Sequence, residues 1–258
     1  MKKQLLPLLA LAVFCALAIS AMLSQQGVQG APLIWASSGC LLLVFPYFTL
    51  MSESTMAALE SRLANLSALV IPVYFAVAYA MMTVPSGTFH LSHLGVLMVY
   101  VGVPLMLVAA VKHWQHWAFI LMVVALGCIW VPVNFGLLGD VWHIRGVADS
   151  TAILTIVAVD IALIVFGAYY GVVGIGYELE FGKKQFQSAT NGAALYLLVV
   201  IPSLLWLNGA SLHINWNLWQ WVASALLVLF GTAIPEELIF RGLLQNILAQ
   251  KFRSQFPP

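Results

Sequence analysis

Eight predominantly apolar stretches, most of them close to 20 residues long, decide what this chain can fold into. They are Leu5–Leu23, Pro32–Met51, Ala64–Val84, Leu94–Val111, Trp117–Leu138, Thr151–Val173, Ala193–Leu207 and Trp216–Leu248. An α-helix needs roughly 20 apolar residues to cross a bilayer's hydrocarbon core. Lipid offers the backbone no hydrogen-bonding partners, so only helices and closed β-barrels span it. These runs are long and unbroken, without the short alternating pattern of a barrel strand. The expected fold is all-α: a polytopic transmembrane helical bundle of about eight spans.

The rest of the composition agrees. The chain is 62% hydrophobic and 7% charged, against about a quarter charged in a typical soluble domain. A net charge of +1 gives no reason for a nucleic-acid partner; the partner implied is the lipid bilayer. Met1-Lys2-Lys3 followed by an apolar run resembles a signal peptide. The run exceeds the usual 7–15 residues, however, and no small-x-small site follows, so a retained anchor is expected. Lys2, Lys3, Arg62, Lys112, Lys183, Lys184, Lys251 and Arg253 fall on one side of an alternating topology, with only Arg145 opposite. The positive-inside rule then places both termini in the cytoplasm. The polar stretches Ser52–Arg62 and Tyr177–Asn191 are expected on that side, the first as a short surface helix. Cys15, Cys40 and Cys128 each sit inside an apolar run without Cys-x-x-Cys spacing and are read as packing residues.

Against this background Glu236, Glu237 and Arg241 stand out, three ionisable side chains in six residues within the last apolar run. Ionisable groups at membrane depth are costly and by default suggest a functional site. On a helix Glu237 and Arg241 are four apart and share a face, while Glu236 points about 100° away. One carboxylate can be held by the guanidinium while its neighbour faces a cavity and serves as general base toward water. Pro235, with Gly231, is expected to kink or split the helix just before the pair. Counted from Trp216 at about 1.5 Å per residue, Glu236 is about 30 Å along, near the cytoplasmic face. The plainer alternative is a salt bridge that ends a span.

The pattern Glu-Glu-x-x-Phe-Arg-Gly-x-Leu-Gln, from Glu236 to Gln245, resembles the first signature of the CPBP family, the CAAX-protease and bacteriocin-processing (Abi) intramembrane proteases. A weaker similarity to one bacterial branch runs from about residue 130, through Asp160 and Val173–Tyr177. It divides the chain into residues 1–130, membrane helices without a specific signature, and 131–258, a partial protease-like region. The resemblance implies a membrane endopeptidase of the bacterial cytoplasmic membrane, acting on peptide or protein substrates such as prenylated CAAX termini. It implies catalytic roles for Glu236 and Glu237, with Arg241 as structural partner. Two later His-containing motifs complete the family site, whose cofactor, a divalent metal such as zinc in one view, stays open. Ten residues follow Leu248, so those motifs are expected outside this chain, for example on a separate segment. The competing expectation is a non-catalytic membrane scaffold or immunity-type protein.

Two upstream stretches imitate the later motifs: Phe89-x-x-x-His93 and His213-x-x-x-Asn217. Both lie on the assigned outer side, about a bilayer thickness from the expected position of Glu236, and are read as coincidences. His113 and His116 sit beside Lys112, which opposes metal binding. His143 is isolated near Asp140 and Arg145. Asp160, near the middle of the sixth span, is expected to be protonated or paired, with a structural hydrogen bond to a polar group on another helix preferred to a catalytic role. The partner of Asn134 is not readable from sequence.

Overall fold

The computed structural model describes residues 2–25, 27–50, 53–63, 68–139, 141–142, 151–172 and 232–255. It also describes residues 187, 190–191, 194–195, 198–199 and 202–203. Every regular element among them is helical. The elements are α1 (Lys2–Gln25), α2 (Ala31–Thr49), α3 (Glu53–Leu63), α4 (Val70–Thr83), α5 (Leu91–Val111), α6 (Ala118–Asn134) and α7 (Thr151–Ala162), which continues as a π-helical stretch, Leu163–Tyr169. The last, α8, is one rod of three parts: Ile234–Glu236, a π-helical Glu237–Leu244, and Gln245–Gln255. The chain forms two compact units, residues 1–177 with 226–258, and residues 178–225. In the second unit the described residues are helical, with the Ser203 hydroxyl donating to the Val199 carbonyl at 2.7 Å.

Among the described residues three helices are long and apolar enough to cross a membrane: Ala31–Thr49, Leu91–Val111 and Gln115–Asn134, the last being α6 with its leading 3-10 turn. They are compatible with an integral membrane protein. Large apolar side chains such as Ile34, Val99 and Met106 face outward, a surface suited to lipid rather than water. Other expected spans are shorter. The third is regular only from Val70 to Thr83, about 21 Å at 1.5 Å per residue; residues 64–67 lie outside the described set. The helix of the fifth expected span, though long enough, ends at Asn134 rather than Leu138, where Gly136 takes φ +65°, a left-handed cap that glycine adopts without a Cβ penalty. The seventh span and residues 216–231 of the eighth fall largely or wholly outside the described residues.

A small residue sits where α2 meets α4. At Gly39 of α2 a Cβ would strike the Met82 side chain and lie 3.1 Å from the Ala78 carbonyl oxygen. Glycine lets α2 and α4 approach with backbone against side chain, the usual device for packing helices in lipid. Between α5 and α6 the Tyr100 hydroxyl donates to the Ile129 carbonyl at 2.6 Å.

The two ends of α5 are about 30 Å apart for its 21 residues. At one end Lys112 lies 5.1 Å from the centre of the Tyr169 ring, and Met56 of α3 packs on Gly167. At the other, Trp142 donates to the Met82 sulfur at 3.1 Å and stands edge-on to Tyr79, whose hydroxyl bonds the backbone of His90. Segment 53–63, Lys112 and the end of the sixth span therefore gather at one end, and residues 79–90 with 142 at the other. Segment 53–63 is the expected short helix.

Candidate functional site

Pro235 is buried in the first turn of α8. It has no N–H to donate and its ring obstructs the carbonyl four residues back. The ladder beyond it is widened rather than broken: Glu237–Leu244 is π-helical, and the Gln245 N–H bonds the Phe240 carbonyl five residues earlier. The π-helical stretch is a rare geometry often found at functional sites; Gly231, the other residue of the expected kink or split, lies outside the described residues. Pro235, Leu238, Ile239, Leu243 and Ile247 form the buried face, and both the first part of α8 and its π-helical part pack on α7.

The opposite face carries the charges. Arg241 Nη1 and Glu237 Oε1 form a hydrogen-bonded ion pair. The Arg241 side chain is 74% exposed and that of Glu237 37%. Glu236 is exposed and, among the described residues, has neither a hydrogen bond nor an ion pair. The expected division, one carboxylate held and one free, is present as geometry. The expected cavity in front of Glu236 is not found among the described residues.

Phe240 fixes the position of the motif along the bundle. Its ring meets Trp130 edge to face, centroids 6.2 Å apart and planes at 88°. Trp130 is twelve residues beyond the start of α6, about 18 Å along it. Phe240 therefore packs well inside the length of α6, nearer its Asn134 end. Glu236 and Glu237, one turn away, are therefore not at the Ala118 end of α6, although reckoning from Trp216 put them near the cytoplasmic face. Sequence reading missed this contact; the aromatic inside a charged motif was its only visible trace.

The remaining candidates are placed as follows. Asp160 is fully buried in α7, and among the described residues neither carboxyl oxygen has a hydrogen-bond partner. The cross-helix hydrogen bond expected for it is not formed there. Phe89 and His93 lie at the start of α5, Phe89 against Tyr79 and His93 edge-on to His90 at 5.0 Å. His113 and His116 are exposed, and Asn134 is exposed at the last turn of α6. Cys40 is buried, Cys15 and Cys128 are half-buried, and all three are free thiols. His143, Arg145, Asp140 and His213–Asn217 lie outside the described residues. Among the described residues no three His, Cys, Asp or Glu side chains converge to hold a metal, so they do not fit the divalent metal that the resemblance raises. Comparison with known protein families, curated proteins and solved structures finds no match to this chain.

Proposed function

We propose that the chain is an intramembrane endopeptidase of the CPBP type, an integral protein of the bacterial cytoplasmic membrane with about eight spans and both termini inside. The observation that carries this reading is the asymmetry at the motif. Glu237 is neutralised by Arg241 while Glu236, its neighbour, is free to accept a proton. Glu236 would act as general base, taking a proton from the water that attacks a substrate carbonyl; a positioned base contributes about 10²–10⁴-fold in rate. The Glu237–Arg241 pair would hold the helix surface beside it. Histidines of the family's two later motifs would stabilise the oxyanion. No step is assigned to a metal.

A second reading, a non-catalytic membrane scaffold or immunity-type protein, is favoured by the exposure of Glu236 and Arg241 on the outside of the described bundle. Such a face suits a partner helix as well as a substrate. Co-expression separates the two. A segment bearing the Phe-x-x-x-His motif should confer cleavage of membrane-bound reporter peptides on the protease. Stable association with a membrane partner, with no cleavage under any pairing, would favour the scaffold.

A further inference from the structure

While Leu238, Ile239 and Leu243 bury one face of α8, the other face is uncovered: Glu236, Phe240, Arg241 and Gln245 are all exposed. Phe240 is half-exposed in the middle of this strip and touches Trp130 of α6, a helix long and apolar enough to cross a membrane. Charges beside a membrane-spanning helix are costly against lipid, so the strip calls for a cover.

Glu236 and Arg241 are five residues apart. On an α-helix that spacing would set them about 140° apart. The register from Glu237 to Leu244 is π-helical, with hydrogen bonds closing over five residues. Five residues then make little more than one turn, and the two side chains lie along one face. Both have capacity to spare. Glu236 has no hydrogen bond or ion pair among the described residues. Arg241 carries five N–H donors, and its ion pair there runs from Nη1 to Glu237.

An acid and a base on one strip, each short of partners, complement a second copy of the same strip. Copies inserted the same way round are related by a two-fold axis along the membrane normal, so their α8 helices run in the same direction. In a parallel helix pair a flanking charge meets the residue five positions on in the other helix, the g-to-e contact of coiled coils. Glu236 and Arg241 have that spacing, and the symmetry makes the contact twice.

We infer that the chain forms a two-fold dimer through this strip, with Glu236 of each copy accepting hydrogen bonds from Arg241 of the other. Arg241 keeps Glu237 and gains a second carboxylate, and Phe240 is covered beside the contact. The dimer does not depend on the proposed peptidase chemistry. It engages Glu236, so the free base of that reading belongs to the single copy.

Energy transfer between donor- and acceptor-labelled copies of the full chain in phosphatidylcholine vesicles, followed on dilution in lipid, tests it. The parent should show transfer linear in the acceptor fraction, as a dimer does. Glu236→Arg and Arg241→Glu should each weaken association by at least about tenfold, because each sets like charges opposite one another. Mixing the two variants should restore it, since every reversed charge then meets its opposite. Where a charge variant does not fold, Gln245→Cys in a chain lacking Cys15, Cys40 and Cys128 decides: a short bismaleimide should link two copies in the bilayer. Absence of transfer in the parent, or of that cross-link, would overturn the inference and leave the strip to residues 178–225 of the same chain or to a helix of another protein. Transfer that folded charge variants do not weaken, or that their mixture does not restore, would overturn it by placing the contact elsewhere.

Discussion

Phe240 stands edge to face on Trp130, with centroids 6.2 Å apart, and so ties the charged motif to a helix more than a hundred residues earlier in the chain. Edge-to-face pairs are worth about 0.5–1.5 kcal/mol beyond their buried area. A double-mutant cycle with Trp130→Ala and Phe240→Ala, read by denaturation in mixed micelles, should give a coupling energy of about that size. Additive losses would mean that the rings do not support one another.

Arg241 and Glu237 form an ion pair that is largely exposed on the bundle surface. Exposed pairs contribute at most about 1 kcal/mol in water, but the leftover charge is costlier where lipid replaces water. Arg241→Ala should therefore lower the melting temperature, more in nanodiscs than in detergent. Adding Glu237→Gln should recover most of the loss by removing the orphaned carboxylate. A double variant that melts lower than Arg241→Ala would show that Glu237 is held by something else.

Asp160 is buried as expected, and the described residues supply no hydrogen-bond partner for it. A hydrogen-bonded acid would tolerate Asn better than Leu. With neither oxygen partnered among the described residues, an apolar side chain of similar size should be at least as stable, as when buried charges are replaced by hydrophobic residues. Asp160→Leu should melt no lower than the parent and Asp160→Asn no higher. Marked destabilisation by Leu with retention by Asn would reveal a hydrogen-bond partner.

The proposed orientation makes its own prediction. Single cysteines at Ser24, Ser188 and Ser254, each in a background lacking Cys15, Cys40 and Cys128, are probed with a membrane-impermeant maleimide on intact cells. Position 24 should label and the other two should not. Labelling of position 254 from outside would invert the assigned topology.

Much of the helical architecture was legible because apolar length alone forces helices in lipid. The runs around Leu94–Val111 and Trp117–Leu138 became α5 and α6, and Ser52–Arg62 its short helix, with ends shifted by caps such as Gly136. The Glu237–Arg241 pairing was legible from their spacing of four, which survives the change to a π-helical register. The register itself was not, because Pro235 signals a disturbed ladder without saying whether it breaks or widens. Nor was the placing of Phe240 against Trp130, since it depends on tertiary packing that periodicity does not encode.

The most direct test of the proposed chemistry is the single-turnover rate of peptide-bond cleavage by the chain with a segment supplying the missing histidines. The parent is compared with Glu236→Gln and Glu237→Gln, with folding checked by melting temperature. Glu236→Gln should fold normally and lose about 10²–10⁴-fold in rate, as removal of a general base does. Glu237→Gln should lose less, through the broken contact with Arg241. Cleavage by Glu236→Gln at the parent rate would contradict the assignment of Glu236 as the base and leave the carboxylate pair a structural feature of α8.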